Sequence, residues 1–170
     1  MRRDAFLLAG LFLWGCAPSP ASRAKAQLAT LEDILRSRND NDPRLDTAFN
    51  GLSPEAKRLL REKYARTPPE RRNDRGTVVY LLGKNIDGPG DWAFLRSVVE
   101  EPPCLSLADC SRVLPEAPEP GDEVTLAYPS LVALRQAAAK RPSPEAAALI
   151  AEAKSSKVPA VARMAARLAP

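Results

Sequence analysis

Arg75-Gly76-Thr77-Val78-Val79-Tyr80-Leu81-Leu82-Gly83-Lys84, the turn Asp87-Gly88-Pro89-Gly90-Asp91, then Trp92-Ala93-Phe94-Leu95-Arg96-Ser97-Val98-Val99: this stretch decides the fold class. Val78, Val79 and Leu82 recur at the three- to four-residue spacing that puts side chains on one face of a helix, and Trp92, Leu95, Val98 and Val99 do the same beyond the turn. The Asp-Gly-Pro-Gly-Asp run is a turn by composition, and Asp91 is placed to cap the second helix. Period-two alternation over the length of a strand is hard to find anywhere in the chain. The sequence reads as all-α.

The same spacing continues outward in both directions. A first helix is predicted over about 24–37, with Leu28, Leu31 and Leu35 on one stripe, stopped by Asn39-Asp40-Asn41-Asp42. Asp42-Pro43 starts a second, because aspartate can satisfy free amides and proline loses nothing at the first helical position; Leu45, Ala48, Phe49 and Leu52 follow on one face. Ser53-Pro54-Glu55 opens a third with Ala56, Leu59, Leu60 and Tyr64 inward, closed by Thr67-Pro68-Pro69. The fourth begins near Glu70 or Asp74 and runs to Lys84, and Pro102-Pro103 ends the fifth. A sixth is predicted over about 126–140 with Leu131, Leu134 and Ala138 on one side, Pro129 marking its first turn or a kink. Ser143-Pro144-Glu145 opens a seventh with Ala146, Leu149, Ile150 and Ala153 inward, and Val161, Met164, Ala165 and Leu168 define an eighth.

Ser53-Pro54-Glu55-Ala56 recurs letter for letter as Ser143-Pro144-Glu145-Ala146, each copy followed by a second helix rich in small apolar residues. Repeated helix pairs suggest a solenoid. The segment 75–84 with its turn and the helix from Asp91 resembles the inner helix, turn and next outer helix of HEAT-type repeats, and Val161-Ala162-Arg163-Met164-Ala165-Ala166-Arg167-Leu168 resembles another inner helix. The resemblance implies a short, irregular α-α superhelix with a protein-binding surface. An irregular helical bundle with the same local patterns is the alternative.

At the amino end, Met1-Arg2-Arg3-Asp4 precedes an apolar run from Ala5 to Trp14, followed by Gly15 and Cys16. The arginines hold the amino end on the cytoplasmic side, while the apolar run enters a bilayer but is too short to span it stably. Leu13-Trp14-Gly15-Cys16 resembles the lipobox of bacterial lipoproteins. That resemblance implies a signal peptide over 1–15, cleavage between Gly15 and Cys16, and a lipid on the Cys16 thiol. Ala17 after the cysteine resembles the outer-membrane sorting class, facing the periplasm. Residues 16–26, with two closely spaced prolines and little apolar bulk, read as a tether, and 27–170 as a single helical domain.

The whole chain carries 25 basic and 21 acidic residues, so loss of Arg2, Arg3 and Asp4 with the signal leaves a balance of about +3, too mild to name a partner. Export argues against nucleic acid as a ligand. Cys104 and Cys110 are then the remaining thiols, expected to pair in an oxidising compartment and close a small ring worth about 2 kcal/mol. They lie in the longest irregular stretch, 102–122, which carries a net negative charge and is expected to project from the helices either as a partner contact or as a passive connection.

Histidine is absent from all 170 residues, which excludes Ser-His-Asp and Cys-His catalysis. Glu100 with Glu101, or Asp87 with Asp91, are the carboxylate pairs that could serve glycosidic chemistry, although each has a simpler place at a helix end or turn. Asp40, Asn41, Asp42 and Asp46 alternate oxygens as a calcium loop does, but Pro43 commits the chain to a helix and no glycine stands where that loop needs one. Basic residues between Lys57 and Arg75 read as a solvated helix face. The expectation is a non-catalytic, lipid-anchored envelope protein with no cofactor or metal, held to the membrane by its lipid and bound to another envelope protein. An envelope enzyme acting on glycan or peptidoglycan through paired carboxylates, or a purely structural lipoprotein, is the alternative.

Overall fold

Three Ser-Pro steps set three helix starts. In the computed structural model, which describes residues 19–113 and 121–169, the hydroxyls of Ser19, Ser53 and Ser143 accept the amide hydrogens of Ser22, Ala56 and Ala146 at 3.1, 3.2 and 3.2 Å. Each following proline sits at the start of its helix, where its missing N–H costs nothing. The helices are α1 (Pro20–Ser37), α2 (Arg44–Thr47), α3 (Pro54–Arg66), α4 (Arg72–Lys84), α5 (Pro89–Glu100), α6 (Asp122–Leu126), α7 (Tyr128–Ala139), α8 (Pro144–Ala153) and α9 (Pro159–Leu168). The described chain is all-helical, and the helices pack against one another in a bundle-like arrangement.

Four expectations change. The tether expected over 16–26 gives way to helix from Pro20, because Ser19 caps it and Ala24, one turn before the predicted stripe of Leu28, Leu31 and Leu35, is buried together with Gln27. The second helix is a single turn, ended before Gly51, whose φ of 68° is a left-handed conformation that glycine adopts freely. The predicted sixth helix is two, broken at Ala127, where Pro129 in the first turn of α7 supplies no N–H to continue the ladder of α6. Asp91 is not the cap of α5. Gly88 holds that position, and Asp91 lies inside the first turn. The signal peptide expected over 1–15, with Gly15 and Cys16, lies outside the described residues.

Helix α3 packs on α4, α5 on α7, and α8 on α9, while α4, α7 and α9 pack in succession, α5 touches α8, and α1 lies against α3. Leu31, Phe49, Leu60, Val78, Leu95, Leu134 and Val161 are among the fully buried side chains that fill the spaces between them. The tightest approach is between α4 and α7. A Cβ placed on Gly76 would lie 2.4 Å from the Tyr128 ring, and one on Gly83 2.5 Å from the Gln136 Cβ, so hydrogen at both positions sets the helix separation. Ser130 Oγ on α7 donates to the Val98 carbonyl of α5 at 2.9 Å, satisfying a buried hydroxyl.

Asn85, just past α4, fastens the loop that follows α2. Its amide nitrogen donates to the carbonyls of Phe49 and Leu81 at 2.9 and 2.8 Å, and its oxygen accepts the amides of Gly51 and Leu52 at 3.0 and 3.2 Å. Asn85→Ala removes donors and acceptor together, and urea denaturation is expected to show a loss of about 1–3 kcal/mol. Asn85→Asp, which keeps the acceptor and loses the donors, should fall between.

Candidate functional site

Pro102-Pro103 turns the chain away from the end of α5 and into a small ring closed by a disulfide between Cys104 and Cys110. Inside the ring the Leu105 amide donates to the Cys110 carbonyl at 3.2 Å. The Ser106 hydroxyl donates to the Asp109 carbonyl at 2.7 Å and accepts the Asp109 amide at 3.1 Å. Beyond it, Ser111 donates its amide and hydroxyl to Asp109 Oδ1 at 2.9 and 2.7 Å, which holds the Asp109 carboxyl below its ordinary pKa.

The ring does not project free of the helices. The guanidinium of Arg72, the first residue of α4, donates to the Leu107 carbonyl at 2.8 Å and lies 3.7 Å from Cys110 Sγ. Glu70 Oε1 accepts the Cys110 amide at 3.1 Å. Arg72 is only 9 % exposed, so it is a mooring and not part of a solvated face. Moored in this way, the ring and the strand of chain leaving it present apolar side chains outward. Among the described residues, large apolar side chains are exposed at Leu105 (50 %), Leu107 (43 %), Val113 (76 %) and Val124 (46 %), three of the four on this segment. Of the acids expected to give the loop its character, Asp109 is tied up locally and Glu116 and Glu119 lie outside the described residues.

Between the ring and α7 lies a cleft of about 360 Å³ whose lining includes Arg72, Arg75, Glu101, both cysteines and Ser130. Arg75 donates to Glu101 Oε1 at 2.9 Å and stacks 4.0 Å above the Tyr64 ring, whose hydroxyl donates to Glu101 Oε2 at 2.9 Å. Burial, then the negative charge of Glu101, push the Tyr64 hydroxyl above its ordinary pKa. On the other side of Pro102-Pro103 a second cleft of about 450 Å³ runs between α5 and the α8–α9 turn, with Val99, Leu149, Ala153 and Val158 in its walls and the Arg96–Glu152 ion pair, at 2.8 Å, at its edge.

The two carboxylate pairs meet different fates. Glu101 is held as an acceptor by Arg75 and Tyr64, whereas Glu100 lines the second, more apolar cleft. Asp87 and Asp91 do converge, on the ammonium of Lys57, at 2.6 and 2.7 Å. Asp91 also accepts the Asp87 amide at 3.0 Å and pairs with Arg61. The side chains of Lys57 and Asp91 are 6 % and 5 % exposed. Burial raises the Asp91 pKa, but the Lys57 hydrogen bond, the Asp87 amide and the charges of Lys57 and Arg61 outweigh it and hold the carboxyl below its ordinary value. A carboxylate so held does not donate protons near neutral pH; it bonds α3 to α5.

Two of the alternating oxygens at 40–46 belong to carboxylates that are already engaged. Asp42 accepts the Arg44 amide at 2.9 Å and its guanidinium at 3.0 and 2.8 Å, and Asp46 accepts the Tyr80 hydroxyl at 2.9 Å. Among the described residues no group of three or more His, Cys, Asp or Glu side chains is arranged to hold a metal, and no helix is long and apolar enough to cross a membrane. Arg72 as the ring's mooring and the Tyr64–Arg75–Glu101 cluster were not foreseen from sequence. The signal that could have found them is the pair of arginines three apart, which share a face of α4. No family model matches the chain, and no curated protein or solved structure is detectably similar to it.

Proposed function

We propose that the protein is a lipid-anchored envelope lipoprotein without catalytic activity that binds another envelope protein through the face formed by its stapled ring. The single observation that carries the binding reading is the exposure of Leu105 and Leu107 on one covalently closed, moored ring, with exposed Val113 three residues beyond it. Exposed apolar side chains gathered in one place mark contact surfaces, and a segment already fixed in shape loses little conformational freedom on binding. The succession of helix pairs α3–α4, α5–α7 and α8–α9 supports a HEAT-like stack as the scaffold behind it. The anchor rests on Leu13 to Cys16.

Cross-linked pull-down of the lipidated chain tests both parts. Leu105→Ser with Leu107→Ser and Val113→Ser is expected to lower partner recovery at least tenfold with little change in thermal stability, because all three side chains are exposed. Equal recovery from the triple variant would remove the ring as the contact. Cys16→Ser is expected to abolish acyl labelling and release the chain from the membrane fraction; retention there would overturn the anchor.

A further inference from the structure

We propose that the Cys104–Cys110 bond is a reducible control on the ring surface, opened by a dithiol that attacks Cys104 and expels Cys110 as a thiolate beside Arg72. Both sulfurs belong to half-buried residues lining the 360 Å³ cleft, so a thiol can approach. The two ends of the bond are not equivalent. Cys110 Sγ lies 3.7 Å from the Arg72 guanidinium, and a cation beside a sulfur stabilises negative charge on it. The thiol whose anion is better stabilised leaves faster, so exchange is directed at the other sulfur.

The remaining charges near Cys110 do not cancel this. Glu70 lies against the Cys110 backbone amide and not against its sulfur, Asp109 is occupied by Ser111 and lies 3.5 Å from Arg112, and Glu101 in the same cleft is paired with Arg75. In the first step a thiolate of the reductant bonds to Cys104 Sγ, the Cys104–Cys110 bond breaks, and its electron pair leaves on Cys110. In the second, the other thiolate of the reductant displaces Cys104 and closes the reductant's own disulfide. Two electrons pass to the protein, which ends with two thiols after protonation. The ring then loses its covalent closure and is held by hydrogen bonds alone, those to Arg72 and Glu70 and those between Leu105 and Cys110 and between Ser106 and Asp109, which loosens the display of Leu105 and Leu107.

The effect on partner contact rests on the function proposed above; the exchange chemistry does not. With Cys16→Ser in the full-length chain, Cys104 and Cys110 are the only cysteines. Reduction by dithiothreitol is expected to slow about threefold to tenfold in Arg72→Gln, to recover in Arg72→Lys, and to quicken in Glu70→Gln. Reduction of Arg72→Gln at or above the parent rate would overturn the assignment. Independently of any variant's folding, the mixed disulfide trapped with glutathione on the parent chain should sit on Cys104 by peptide mass spectrometry, and an adduct chiefly on Cys110 would overturn it equally. Directed exchange with unchanged pull-down after reduction would leave the chemistry standing and remove the partner control.

Discussion

Asp91→Ala is expected to lower the free energy of unfolding by about 3–5 kcal/mol, read by urea denaturation, because it strands the buried Lys57 ammonium and takes a partner from Arg61. Asp87 cannot replace it: its side chain is 76 % exposed and its single contact with Lys57 is open to water. Lys57→Met with Asp91→Leu, which removes both buried charges, should recover much of the loss, since the pair's attraction is largely offset by the cost of drying it. The pH dependence has a defined sign. Asp91 has a lowered pKa in the folded chain, so its contribution is fully present above the ordinary carboxylate value near 3.9 and disappears as pH falls through the lowered folded value. The acid limb of the wild-type stability curve should therefore be steeper below about pH 4 than that of Asp91→Asn. Parallel acid limbs would mean that the carboxylate is not held as described.

Gly83→Leu is expected to cost about 3 kcal/mol or more, with Gly83→Ala between it and the wild type, measured by the same denaturation. An alanine normally stabilises a helix interior by about 1 kcal/mol over glycine. At Gly83 that gain is overruled, because the new carbon would lie 2.5 Å from the Gln136 Cβ, an atom fixed to the α7 backbone that no rotamer change can move away. Relief requires α4 and α7 to separate, loosening Val79 and Leu134 together. Gly90 supplies the control. Its nearest foreign atom would be 3.9 Å away, so Gly90→Ala should be neutral or slightly stabilising.

The class of fold was legible because apolar spacing is a local property: Val78, Val79, Leu82 and Leu95 declare their helices without reference to anything distant. Helix starts were legible where the capping chemistry was recognised, as at Ser53 and Ser143. Ser19-Pro20 carries the same signal, but adjacent prolines and small residues gave the segment the composition of a linker, and only the burial of Ala24 and Gln27 shows that it packs. Asp91 reads as a cap from its place after a turn, yet its partners Lys57 and Arg61 come from a helix some thirty residues earlier, which no local pattern reports. The ring shows the same division. Its closure follows from two spare thiols, whereas its mooring by Arg72 and its apolar outer surface depend on where α4 begins in space. Lipidation at Cys16 remains a reading of sequence alone.

The position of α7 in the chain has a consequence for synthesis. This helix touches α4, α5, α8 and α9, yet it emerges only after the long segment that follows α5. A chain growing from its amino end completes α1 to α5 while the faces of α4 and α5 destined for α7, around Val79 and Val98, still lack their cover. The amino-terminal half is therefore a template that waits some forty residues for its keystone, exposed in the meantime as a partly covered apolar surface.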